Sequence, residues 1–205
     1  NIGRHYNPWF ASQIALAHLL RYRRTGCESD LASFRLISDW LVENAHDQAD
    51  GLTWFYCFDW NHGRTSPWIS ALSQGMAAAT LLRAGQVFGE GRYVATAERA
   101  MRLFRLPMRA GGVSYFHGDG TVSFEEVVSP DCAESPLSTL NGHLFALWAV
   151  RDWVAETESA PYRDLLERAC EFLRSRLEDY DLGFWSAYNL FRGLAGIPAI
   201  ASSMY

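Results

Sequence analysis

"SPWISALSQGMAAATLLRAG", residues 66–85, carries small and polar residues where a simple core helix would carry Leu. A polar residue followed by Pro is a sound helix start, because the cap oxygen accepts free N–H groups and Pro tolerates the first helical position. The spacing therefore predicts a helix opening at Ser66, with Gly75, Ala77, Ala78 and Ala79 letting neighbouring helices approach closely.

The same signature occurs twice more, as "NPWFASQIALAHLL" from Asn7 and "SPLSTLNGHLFALW" from Ser135. The three starts lie 59 and 69 residues apart, room enough in each interval for a helical pair. Second helices are expected at about 28–45, 90–106 and 161–178, where apolar residues recur at helical spacing and charge takes the other face. An Arg row at 92, 99, 102, 105 and 109 is read as part of such a solvated face rather than as an anion track. Short strands are expected in "GLTWFYCFDW" (51–60) and, as a hairpin turning at His117 to Gly120, in "GGVSYFHGDGTVSFEEVV" (111–128).

Helical hairpins cannot bury their faces alone, so repeated ones stack around a common axis. The expected fold is mainly α, an α/α toroid or an arc of one with short β-hairpin insertions, forming a single domain over 1–205. In such a ring the capped helices lie inside. Their starts line a bowl with partly positive helix ends, and Trp9 and Trp68 stand at its rim.

Composition narrows the function. At 205 residues and 49% hydrophobic, the chain can bury a large core and reads as soluble, with neither a signal peptide nor a membrane-spanning run in view. A net charge of -5 argues against nucleic acid as a partner. All 18 basic residues are Arg, which removes lysine Schiff-base chemistry. Cys27, Cys57, Cys132 and Cys170 form no CxxC pair and are expected to be buried thiols. His143 is the nearest candidate for a base or metal ligand, but it has no partner at ligand spacing, so neither a metal nor a cofactor is expected.

"SPWISALSQGMAAATLLRAG", "FEEVV" (124–128), "PLSTLNGHLFALWAVRDW" (136–153) and "FWSAYNL" (184–190), in that order, resemble the C-terminal catalytic domain of the D-glucuronyl C5-epimerases. The resemblance implies an α/α toroid that inverts C5 of glucuronate within a heparosan-like acidic polysaccharide, in a chain that can assemble as a homodimer. It matches Tyr188 and Tyr205 to two family tyrosines and Glu125 and Glu126 to an acidic pair, these four being the implied catalytic residues. Arg192 is implied as the guanidinium on the uronate carboxylate, and Asn141 and Gln74 as partners of sugar hydroxyls, beside Trp9 and Trp68 as sugar-facing aromatics. Where the family has a further tyrosine after the acidic pair, this chain has Val127. Alternation along a strand sends neighbours to opposite faces, so at most one of the two glutamates is expected in the site. The family also continues beyond the position of Tyr205, so the chain is expected to lack a closing segment.

Removal and return of the C5 proton on opposite faces requires two proton-transfer groups and donors for the enolate-like intermediate. A polysaccharide lyase shares the first step. A glycoside hydrolase using Glu125, Glu126 or Asp131, and a non-catalytic sugar-binding array, are the other classes compatible with these residues.

Overall fold

The computed structural model describes residues 5–60, 63–132, 134–191 and 196–201. Among these, six α-helices alternate with two small antiparallel sheets. Helix α1 (Pro8–Thr25) pairs with α2 (Glu28–Glu43), α3 (Ala71–Phe88) with α4 (Gly91–Arg102), and α5 (Leu140–Thr157) with α6 (Ala160–Arg176). Helix α3 also packs on both α1 and α5, so these three form an inner row backed by their partners.

The middle position of α3 explains its sequence. Every residue from Ala71 to Leu82 is buried, as expected of a helix enclosed on all sides. Small residues are needed because the neighbours come close: a Cβ on Gly75 would lie 2.6 Å from Cβ of Ala149 on α5. The outer helices have the amphipathic pattern instead. On and beside α4, Arg92 pairs with Asp39 and Glu90, Arg99 with Asp47, Arg102 with Asp50 and Arg109 with Glu134, a solvated face of ion pairs.

Strands β1 (His46–Gln48) and β2 (Gly51–Thr53) form the first hairpin, and β3 (Ser114–Phe116) and β4 (Val122–Phe124) the second. The second turns at His117–Gly120, where the sequence placed it. Phe104 and Phe124 meet edge to face at 5.1 Å, joining this hairpin to the core that also holds Phe34, Tyr93 and Leu81. Among the described residues no helix is long and apolar enough to cross a membrane.

Two of the three anticipated helix starts move. Asn7 does cap α1, accepting from the N–H groups of Trp9 and Phe10. Helix α3 begins only at Ala71, after its cap Ser70, and α5 only at Leu140, after Thr139. The Ser66–Pro67 bond is cis, and Trp68 and Ile69 are extended, bridging Tyr56 and Val128. Backbone pairing with distant strands takes the residues that local cap chemistry assigned to a first turn. The cysteine expectation also fails: Cys27, Cys57 and Cys170 are exposed thiols, since the amphipathic outer layer and loops carry them at the surface.

Candidate functional site

The first turns of α1, α3 and α5 converge on one cleft of about 310 Å³. Asn7, Trp9 and Phe10 come from α1, Ser70 and Leu72 from α3, and Asn141 and Phe145 from α5. Tyr56, Phe58, Trp60, Trp68 and Glu126 complete the lining. None of the three helices has an acidic residue in its first turn, so their partly positive ends are not neutralised from within the helix.

Glu126 is the carboxylate of this cleft. It follows β4 and lies against the start of α5, where a Cβ on Gly142 would be 2.6 Å from its own Cβ, so only glycine permits the approach. Burial pushes its carboxyl up to about 7; the Tyr188 hydroxyl opposes the shift and the neighbouring Glu125 adds to it. Tyr188 donates to both carboxylate oxygens, at 3.2 and 3.1 Å. A carboxyl titrating near neutrality and a phenol hydrogen-bonded to it make a unit that can take up and release a proton.

Glu125, one residue earlier, is fully buried and faces away from the cleft lining. Its Oε1 accepts from Ser123 Oγ at 2.5 Å, and its Oε2 accepts from the N–H groups of Leu137 and Ser138, both at 2.9 Å. Burial pushes its carboxyl up, countered by these donors and by the Arg64 charge. Both residues lie past the end of β4, with Glu126 at a bend, so the bend rather than strand alternation puts Glu126 in the cleft lining, and Glu125 is buried instead of being sent outward.

Trp9 and Asn141 are half-buried in the lining, and Trp9 Nε1 and Asn141 Oδ1 have no hydrogen-bond partner among the described residues. Both atoms are themselves buried, so one donor and one acceptor stand unsatisfied just behind the cleft surface. Trp68 departs from its expected role: its ring stacks on Tyr56 at 4.0 Å and 7°, and its N–H is taken by the Phe58 carbonyl at 2.7 Å. With both ring face and N–H occupied, and only 4% exposed, it is a wall of the cleft rather than a sugar platform.

Gln74 is a clearer correction. It accepts from Thr53 Oγ1 at 2.9 Å and donates to the carbonyls of Leu52 and Ala100, pinning α3 to β2 and α4 away from the cleft. His143 is likewise structural: its Nδ1 accepts the Phe124 N–H at 3.0 Å and its other nitrogen meets the Ala169 carbonyl at 3.1 Å. Asp131 is exposed and bonded to Thr65, outside the cleft lining. Arg192 and Tyr205 lie outside the described residues.

Tyr56 was missed. Its hydroxyl donates to Asn7 Oδ1 at 3.0 Å, which leaves it to accept from Ser73 Oγ at 2.5 Å. Burial pushes it up to about 12, so it is a neutral latch between the starts of α1 and α3. The aromatic alternation of 51–60 marked the segment but not which ring turns inward. Val127, at the position where the family has a tyrosine, packs with Tyr56, Trp68 and Leu137 in a small buried cluster.

A family model and one relative among known proteins point to the same family. The model for the D-glucuronyl C5-epimerase C-terminus matches residues 47–205. A D-glucuronyl C5-epimerase of Caenorhabditis elegans is 25% identical over 201 residues, 88% of this chain and 30% of the relative. An uncharacterised protein of Methanocaldococcus jannaschii is 28% identical over 142 residues, 67% of this chain and 45% of that one. A crystal structure of a Listeria innocua protein superimposes with a TM-score of 0.59 at 16% identity, covering 87% of this chain and 47% of its own, a likeness of fold alone. The chain spans less than half the length of each of these relatives.

Proposed function

The chain belongs to the family defined by the C-terminus of the D-glucuronyl C5-epimerases, and from that membership we propose that it epimerises C5 of a uronate within an acidic, glucuronate-containing polysaccharide. The observation that carries the reading is the Tyr188–Glu126 hydrogen-bonded pair, set where three helix starts converge. Under the same reading the three hairpins are an arc of an α/α toroid.

The pair accounts for one face of the reaction. A phenol is a weak base at its ordinary pKa of about 10, so it needs a partner to take its proton. Glu126 as carboxylate accepts the phenolic proton while Tyr188 oxygen removes the C5 proton. The electron pair left on C5 delocalises into the uronate carboxylate, whose added charge is met by the helix N-termini and, under this reading, by Arg192. Because Tyr188 and Glu126 touch each other, they serve the same face. The opposite face needs a second acid, the role assigned to Tyr205, whose hydroxyl proton is delivered to C5 with inversion. Trp9 and Asn141, both in the cleft lining, would meet the sugar ring beside the pair, the indole through its apolar face.

The test is incubation with heparosan-type polymer in heavy water followed by NMR of the product. Deuterium at C5 in both epimers, with chain length unchanged, is expected. An ultraviolet-absorbing unsaturated uronate would replace the epimerase reading with a lyase, and new reducing ends would replace it with a hydrolase.

A further inference from the structure

Glu125 resembles a catalytic residue in sequence, yet its carboxylate is sealed from the cleft. We propose that Glu125 is a positioning residue, whose carboxylate gathers the backbone of residues 137–138 and thereby seats Tyr188 against Glu126. The inference rests on the reading of Tyr188 and Glu126 as the proton-transfer pair.

The chain of contacts is short. Oε2 of Glu125 takes the N–H groups of Leu137 and Ser138, both at 2.9 Å. Ser138 has φ 51°, a left-handed conformation that a residue other than glycine adopts only when held there. The segment so fixed is the docking edge for the extended segment around Tyr188. The Leu190 N–H donates to the Leu137 carbonyl at 3.0 Å, Leu140 N–H donates to the Tyr188 carbonyl at 3.2 Å, and Thr139 bridges Asn189. Tyr180 adds its hydroxyl to the Ser138 carbonyl at 2.6 Å. The main chain of Glu125 meanwhile accepts the Ala71 N–H at 2.9 Å, fixing the start of α3 from the same residue.

The remaining groups around the carboxylate hold it rather than open a path from it to the cleft. Ser123 donates its single hydroxyl proton to Glu125, so His117 Nε2–H donates to Ser123 Oγ at 3.1 Å. Arg64, almost wholly buried, attracts Glu125 and bonds the Ser135 carbonyl, so charge and hydrogen bonds fasten the same loop. Glu126 in turn bonds Tyr188 and feels the charge of Glu125 behind it, while its own charge reaches Tyr56 in the same lining.

Position and proton transfer are separable by substitution in the full chain. Glu125→Gln keeps one oxygen for the two amides and turns its NH2 to Ser123, whereas Glu125→Ala leaves both amides without their acceptor. Exchange at C5 is expected to stay within about tenfold of wild type in E125Q. In folded E125A it should fall by roughly a hundredfold, the effect of a misplaced reacting group. Loss in E125Q equal to that in E125A would overturn the proposal, since only a proton-transfer role needs the carboxylic acid itself. A readout independent of activity is the carboxyl-carbon NMR titration of Glu126. Its midpoint should fall by about one pH unit in E125Q, where the like charge is gone, and the Tyr188–Glu126 contact should be lost in E125A. An unmoved midpoint together with an intact contact would also overturn it. Should wild type itself show no C5 exchange while these NMR changes appear, the proposed reaction fails and the positioning role stands.

Discussion

Two adjacent carboxylates leave β4 on opposite sides, and the chain treats the two sides in different ways. On the closed side Glu125 is fully buried, takes three hydrogen bonds from one hydroxyl and two amides, and has Arg64 nearby. On the open side Glu126 has the Tyr188 hydroxyl as its hydrogen-bond donor, and the same lining holds buried polar atoms of Trp9 and Asn141 without partners among the described residues. The same residue type is thus held by three donors on the closed side and, on the side where the proposed chemistry lies, by a single hydroxyl. Completeness of hydrogen bonding, more than burial, separates a scaffold carboxylate from a reactive one.

The largest expected effect on the open side is on rate. Glu126→Gln should lower C5 exchange by about 10²–10⁴, the usual worth of a positioned acid or base, with the cooperative thermal transition retained. Equal loss of exchange and of folding in that variant would erase the contrast with the closed side.

The next effect is on stability against pH, read from urea melts. Glu126 is raised by burial from 4.5 to about 7, so the folded state holds its proton more tightly than the unfolded chain does. Its contribution is fully present below about pH 4 and is lost as pH rises through 7, a swing of about 3 kcal/mol. Between pH 4 and pH 8 the stability difference between E126Q and wild type should therefore move by about 3 kcal/mol in favour of the variant. His143 runs the other way. Burial lowers it from 6.5 to about 4, so its contribution is present above pH 6.5 and lost as pH falls towards 4. With Glu125 and Glu126 both replaced by Gln, the two histidines lowered by burial, His143 and His117, should show as a fall in stability on acidification below pH 6.5. A flat profile in that double variant would contradict the buried, neutral His143.

The smallest effect concerns the unpartnered atoms. Trp9→Phe shrinks an aromatic face of the cleft and removes a buried N–H that has no partner among the described residues, so stability should change by less than about 1 kcal/mol while KM for the polymer rises about fivefold. An unchanged KM would remove Trp9 from the binding surface.

These contrasts were only partly legible in the sequence. The hairpin repeat, the close-packed α3 and the β3–β4 turn follow from periodicity and turn chemistry, which are local properties, whereas Glu125 and Glu126 part at a bend just past β4 that strand alternation does not describe. The starts of α3 and α5 were misplaced because Ser–Pro is equally at home in a turn, and the choice was made by bridges from Trp68 to Tyr56 and from Thr139 to Asn189. Gln74 was misassigned for a related reason. An amide on an inner helix can face a ligand or a neighbouring carbonyl, and only the packing of β2 and α4 decides. Tyr56 went unseen because its partners, Asn7 and Ser73, lie 49 and 17 residues away.

The central claim, that Tyr188 and Glu126 together move the C5 proton, is tested most directly by Tyr188→Phe in the heavy-water assay beside wild type. The substitution removes one oxygen from a half-buried ring and leaves the backbone bonds of residues 188–190 to residues 137–140 in place. The account predicts deuterium at C5 with wild type and at least about a hundredfold less with Y188F, with polymer binding retained. Deuterium incorporation by Y188F at the wild-type rate would contradict it.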